Sequence, residues 1–132
     1  MILYINTTQN NLIEISLKNK GRVVAVKKFK SDRTQAEKLL PNIEKLLKAD
    51  KIKLSDLKSI EVENGGDSFT SLRIGVVTAN ALAYALGIAV AGSRGKSKTI
   101  KNGKRIFKVI EPIYNREPEI MKKKNHVIAR ER

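Results

Sequence analysis

Two long helical patterns, each followed by a short apolar or β-branched run, constrain this chain more than any other feature. From Thr34 to Ala49 the residues Ala36, Leu39, Leu40, Ile43, Leu46 and Leu47 recur at three- and four-residue steps, the mark of an amphipathic helix with a wide apolar stripe. Pro41 lies inside it and lacks a backbone donor, which predicts a bend or an opened turn there. A second helix is expected from Phe69 to Leu86, capped by Asp67 or Ser68 and closed by Gly87 in the left-handed conformation. Ser71, Gly75 and Ala79 repeat along it every four positions, and Ala81, Ala83 and Ala85 continue the low-bulk surface. Such a stripe admits a second helix at close range, or packs tightly on the chain's own sheet.

Three strands precede the first helix: Met1 to Asn6, Leu12 to Leu17 and Val23 to Phe29. The turns between them, at Asn10-Asn11 and Lys20-Gly21, make an antiparallel meander. Ser31-Asp32 offers cap oxygens for the helix that follows, and Leu54 to Leu57 a small turn beyond it. Ser59 to Glu63 and Ile88 to Ala91 follow the two helices and are expected to join the sheet as parallel strands. The fold class is therefore α/β, a five-stranded mixed sheet with two main helices. That arrangement is shared by the actin-like and ribonuclease-H-like folds, and a fold does not settle function.

Asn64 to Ser68 reads as a loop whose glycines permit positive φ. Beyond Gly92 the stretch SRGKSKT reads as polar and flexible. A hairpin is expected around Asn102-Gly103, then an extended Ile113-Tyr114 between Pro112 and Pro118. The expected division is a first lobe at 1–92, a reduced second lobe of hairpin and extended segment at 93–120, and a basic tail at 121–132.

Composition narrows the chemistry. There is no cysteine, and the single histidine, His126, stands in a lysine-rich tail, so neither a thiol nucleophile nor a metal set is expected. Met1 leads directly into an apolar strand and no stretch reads as a span of roughly 20 apolar residues, so the expectation is a cytoplasmic protein with no membrane contact. The balance of 27 basic to 13 acidic residues gives a net charge of +14, concentrated after Gly92. Charge at this density attracts phosphate backbones, whereas a general lysine bias explains it equally well. The basic residues lack interleaved aromatics for stacking bases, and the sequence does not choose between the two readings.

Several motifs invite catalytic readings and fail. Gly95-Lys96-Ser97 resembles the end of a phosphate loop, but the glycine required five residues earlier is Val90. The end of the first strand, where nucleases and ATPases of this topology hold a metal-binding carboxylate, carries Asn6. Only Glu63 stands at a matching strand end, and one acid does not make a two-metal site. Glu61 and Glu63 share a strand face as exposed carboxylates, and no serine has a histidine partner. No catalytic residue, cofactor or metal is expected.

MILYINTT resembles the opening of TsaB proteins, usually Met-Ile-Leu-x-Ile-Asp-Thr-Ser, and Glu37 to Leu47 (EKLLPNIEKLL) resembles their first helix, internal proline included. Leu54 to Gly75 resembles their most distinctive segment, which ends Gly-Pro-Gly-Ser-Phe-Thr-Gly-Leu-Arg-Ile-Gly. Ser68-Phe69-Thr70 and Leu72-Arg73-Ile74-Gly75 match it position by position, and Glu111 to Arg116 (EPIYNR) is similar to the Pro-x-Tyr-x-Arg near TsaB C-termini. Asn6 stands for the usual Asp, Gly66-Asp67 for Pro-Gly and Ser71 for Gly. The second lobe is short by comparison with family members, and an internal deletion is the simplest reading.

The resemblance implies an actin-like fold and a non-catalytic scaffold role in making N6-threonylcarbamoyladenosine in tRNA. It implies a TsaD-like enzyme as partner through paired helices, a TsaE-like ATPase on the assembled pair, and self-association through the same face when the enzyme is absent. The residues expected at that interface are Leu39, Ile43, Leu46, Ser71, Leu72, Gly75, Val76, Ala79 and Ala83. The second reading is direct RNA contact by the basic C-terminal segment through Lys98, Lys101, Lys104, Arg105, Lys122, Lys123 and Lys124.

Overall fold

The computed structural model describes residues 1–9, 11–31 and 35–114. Strands β1 (Ile2–Gln9), β2 (Leu12–Asn19) and β3 (Arg22–Lys30) form the meander. Helix α1 (Gln35–Ala49) leads through a 3-10 turn, Leu54–Asp56, to β4 (Ser59–Val62). A two-residue strand, β5 (Gly65–Gly66), precedes α2 (Phe69–Leu86), and β6 (Ala89–Gly92) follows it. Strands β7 (Ser97–Asn102) and β8 (Arg105–Ile110) make a hairpin, and β9 (Ile113–Tyr114) closes the described chain. The main sheet has the order β3-β2-β1-β4-β6, with β4 parallel to β1 and β6 parallel to β4. The expected mixed sheet is present, with the two helices as its crossovers.

The sequence explains why these elements form. In β1 and β2 alternate residues point to one face, and Leu3 opposite Leu17 and Ile5 opposite Ile15 bury that face completely. α1 covers β2 and β3, while α2 covers β1, β4 and β6. Leu39, Ile43, Leu46, Leu47, Leu72, Val76, Ala79 and Ala83 fill the space between helices and sheet. Each fully buried Leu or Ile there contributes about 1.5–3 kcal/mol relative to exposure. The opposite face of the sheet, with Tyr4, Glu14, Lys18, Val26 and Glu61, is covered by no helix among the described residues.

The helix ends follow the sequence signals. Ser68 caps α2, its hydroxyl accepting from the Ser71 amide at 3.3 Å, and Gly87 ends it at φ 67° with its amide donating to Ala83 and Tyr84 carbonyls. α1 continues unbroken through Pro41, and the Asn42 side-chain amide donates to the Lys38 carbonyl at 2.8 Å. α2 also has the length and average apolarity of a membrane span, contrary to the sequence expectation, although it carries Arg73 and packs on the sheet.

Two loop expectations are corrected. Gly65 and Gly66 have no positive φ; they are extended and pair in parallel with Ile113 and Tyr114. Their lack of a Cβ matters instead, since one on Gly65 would strike the Arg94 side chain and one on Gly66 would press on Thr8. The segment after Gly92 is not a loose polar stretch. Arg94 and Gly95 are held by Asn64, Lys96 by Glu111, and β7 starts at Ser97. The hairpin loop is Gly103-Lys104, one residue beyond the expected turn, because Asn102 pairs with Arg105. Asn10, Asp32, Arg116, Pro118, His126 and the tail from Met121 to Arg132 lie outside the described residues.

Candidate interaction surfaces

The small-residue stripe of α2 faces the sheet. A Cβ on Gly75 would sit 2.5 Å from the Thr7 hydroxyl oxygen, and that hydroxyl donates to the Ser71 carbonyl at 2.6 Å. Thr7 and Ala79 are fully buried, so the four-residue spacing of Ser71, Gly75 and Ala79 seats the helix against β1. The proposed interface residues are therefore corrected. Leu39, Ile43, Leu46, Leu72, Gly75, Val76, Ala79 and Ala83 are interior, and Ser71 is half-buried beside Thr7. Small residues accommodate a sheet as readily as a partner helix, and here the sheet takes them.

The outward face of the helix pair is different and was not singled out from sequence. Leu40 on α1 is 53% exposed, Val77 on α2 59%, and Phe69 and Leu54 also stand out. Two shallow hollows of about 380 and 370 Å³ lie on this face. The first is lined by Ala36, Phe69, Thr70, Arg73, Ile74, Val77 and Thr78, the second by Leu40, Pro41, Ile43, Glu44, Leu47, Leu54 and Leu82, so Ile43, although almost wholly buried, does border the outward face. The signal was available: in each helical pattern the apolar positions exceed what one buried stripe needs.

Asn64 is the buried polar hub that sequence reasoning missed. Its side-chain amide donates to the carbonyls of Gly95 (2.6 Å) and Glu111 (3.0 Å), and its oxygen accepts from the Arg94 amide at 2.9 Å. Its own carbonyl accepts from the Ile113 amide. A Cβ on Gly92 would collide with the Asn64 carboxamide, so Gly92 makes the room Asn64 needs. Nearby, Phe69 stacks on Tyr114 with centroids 4.6 Å apart, and Arg73 lies over the Phe69 ring. Burial raises the Tyr114 phenol above its usual range, with Arg73 opposing.

The polar groups at the strand ends have partners within the fold. Asn6 is buried, and its oxygen accepts from the Thr8 amide (2.8 Å) and hydroxyl (2.7 Å). Glu63 accepts from the Gly65 amide and pairs with Arg94 at 3.0 Å, and Glu61 pairs with Lys18 at 3.0 Å. The Tyr4 phenol is raised first by burial, then by the Glu63 charge, with smaller contributions from Glu14 and Glu61 and an opposing hydrogen bond from Asn6. Gly95-Lys96-Ser97 enters a strand, and a phosphate loop requires a helix there.

The hairpin is fixed on the C-terminal half of α2. The Asn80 side chain donates to the Ile110 carbonyl at 2.9 Å and accepts from the Ile110 amide at 2.8 Å. Tyr84 meets Phe107 edge-on at 4.6 Å, and Asn102 donates to the Tyr84 hydroxyl. Arg105, expected as an RNA contact, is instead engaged within the fold. Its guanidinium lies 3.8 Å from the Tyr84 ring centre and donates to the Tyr84 carbonyl, where a cation suits the helix C-terminus. Lys98, Lys101 and Lys104 are exposed, whereas Lys122, Lys123 and Lys124 lie outside the described residues.

Residues 28–94, just over half of the chain, match the family model described as TsaD: tRNA N6-adenosine threonylcarbamoyltransferase. The tRNA threonylcarbamoyladenosine biosynthesis protein TsaB of Bacillus subtilis (strain 168) is 29% identical over 108 residues, 82% of this chain and 47% of its own. The chain belongs to that family, as a TsaB (YeaZ) member. Two solved structures from Pseudomonas aeruginosa agree with the fold. One, described as an uncharacterized protein with similarity to peptidase YeaZ, has a TM-score of 0.63 at 27% identity. The other, YeaZ, has a TM-score of 0.58 at 26% identity. Each match covers 69% of this TsaB-family chain and 41% of the other, so the chain spans about half the length of the relatives it matches.

Proposed function

We propose that the chain is a non-catalytic subunit that docks on a TsaD-like enzyme and so supports N6-threonylcarbamoyladenosine formation in tRNA, in the cytoplasm. One observation carries this reading: in a chain of this family, the two helices leave an apolar outer face uncovered, centred on Leu40, Phe69 and Val77. A contiguous exposed apolar surface of this kind marks a protein contact. The non-catalytic part rests on Asn6, a neutral amide already accepting two bonds, and on Glu63, already paired with Arg94. A TsaE-like ATPase is the further component expected on the assembled pair.

Co-expression with the TsaD-like enzyme of the same genome tests it. The wild-type chain should co-purify with the enzyme, and Leu40→Glu with Val77→Asp should reduce the complex at least tenfold. These side chains are exposed, so the double variant should keep its fold. Deleting the gene should lower threonylcarbamoyladenosine in bulk tRNA, read by nucleoside mass spectrometry. A complex that survives the double substitution, or modification that persists without the gene, defeats the proposal. Enlarging Gly75 would not test docking, because that residue packs on Thr7.

A further inference from the structure

No Asp or Glu occurs between Asp67 and Glu111, a stretch that holds Arg73, Arg94, Lys96, Lys98, Lys101, Lys104, Arg105 and Lys108. Five of the lysines stand on or beside the β7–β8 hairpin, all are exposed, and none has an ion pair among the described residues. Unpaired like charges on one short ribbon repel one another, so an anionic partner lowers the energy of the whole group. The ribbon is also held in place: Asn80 clamps its base at Ile110, and Tyr84 packs on its middle at Phe107. Its cations are thus presented on a fixed frame.

The folded chain supplies the aromatics that the linear sequence lacked. Tyr84 comes from α2 and Phe107 from β8, and both rings line a cavity of about 480 Å³ between the end of α2, β6 and β8. Gly87, Ile88 and Val90 form its other walls, and Ile106 and Lys108 stand at its β8 side. From the register, Thr99, Lys101, Ile106 and Lys108 share the ribbon face opposite Phe107, with Lys104 at the tip, and Lys108 also lines the cavity. A cavity lined by Tyr84, Phe107, Arg105 and Lys108, with Lys101 and Lys104 along the same ribbon, suits a ligand that alternates planar bases with phosphates. A lipid surface is a poorer fit, since Ile106 is the only large apolar side chain strongly exposed on the ribbon.

We propose that the β7–β8 ribbon binds a single-stranded segment of RNA, with phosphates on Lys101, Lys104 and Lys108 and an unstacked base in the cavity beside Tyr84 and Phe107. This goes beyond docking on an enzyme and needs no enzyme to be measured. Only the choice of tRNA as the natural ligand rests on the proposed function.

Fluorescence anisotropy on the full chain alone provides the test. The probes are a single-stranded RNA of about 12 nucleotides, the same RNA as a duplex, and vesicles of phosphatidylserine and phosphatidylcholine. The single strand should bind tightest. Three phosphate contacts give a salt slope near −2, so raising salt from about 50 to about 200 mM should weaken binding roughly 20-fold. The Lys101→Glu, Lys104→Glu, Lys108→Glu variant should lose at least tenfold in affinity while its melting curve and its co-purification with the TsaD-like enzyme stay unchanged. Unaltered RNA affinity in that variant overturns the proposal. So does duplex or vesicle binding as tight as single-strand binding, which would mean that charge acts without the cavity. Loss of enzyme docking with intact RNA binding would instead strike the proposed function.

Discussion

At the scale of single residues, close approach decides more than conformational freedom. Gly75 and Gly92 exist to leave space, one for the Thr7 hydroxyl and one for the Asn64 carboxamide. Asn6 shows how a single amide changes a strand end: it closes a local turn onto Thr8 and carries no charge to hold a cation. Tyr4 beside it leads to a pH prediction. Its folded pKa is raised above the unfolded value near 10, so its contribution to stability is complete below about pH 10 and is lost as pH climbs through the folded pKa. Denaturant titrations between neutral and strongly alkaline pH should show a loss of stability in wild-type protein that is smaller in Tyr4→Phe. Equal alkaline losses in both proteins would assign the effect to other groups.

At the scale of elements, the helices were legible because their boundaries have chemical signals. Ser68 supplies a cap oxygen and Gly87 a left-handed residue, and α2 runs between them as expected. The inward face of α2 was not legible, since Ser71, Gly75 and Ala79 would suit a helix partner as well as β1. Asn64 was hidden for a different reason: its partners are backbone atoms 30 to 47 residues ahead, and backbone groups leave no mark in a sequence. Its clamp ties the ribbon to the sheet. Asn64→Ala removes the partner of three backbone groups, the Glu111 carbonyl on a half-buried residue and the Gly95 carbonyl and Arg94 amide on exposed residues. A buried group left unpaired costs about 1–3 kcal/mol, and water offsets much of that at the exposed two. The expected net loss is about 1–3 kcal/mol in urea unfolding, with hydrogen-exchange protection lost at the Arg94 amide. Retained protection there would show that Asn64 is replaceable.

Across the whole molecule, the exposed apolar side chains of the helices and the lysines of the ribbon belong to different elements. The outward face of α1 and α2 is greasy at Leu40, Phe69 and Val77, whereas the lysines of the ribbon are exposed beyond the C-terminal end of α2. Without an enzyme partner the greasy face has one complementary surface always at hand, its copy on another chain. Sedimentation of the purified protein should therefore show a homodimer that Leu40→Glu with Val77→Asp converts to monomer. A monomeric wild-type chain at high micromolar concentration would rule this out.

The return of Ile113 and Tyr114 to Gly65 and Gly66 has a consequence for how the molecule is made. While the chain leaves the ribosome, β1 to β6 emerge first, and through that interval Asn64 has neither Glu111 nor Ile113 to bond and Phe69 has no ring to stack on. The main sheet then has all its strands, yet the loop before α2 still lacks its later partners. Only when the ribbon has been synthesised and Tyr114 arrives does that loop close, joining residues nearly fifty positions apart at a late stage of folding. The ribbon is thus the length of chain that must be paid out before the latch can shut.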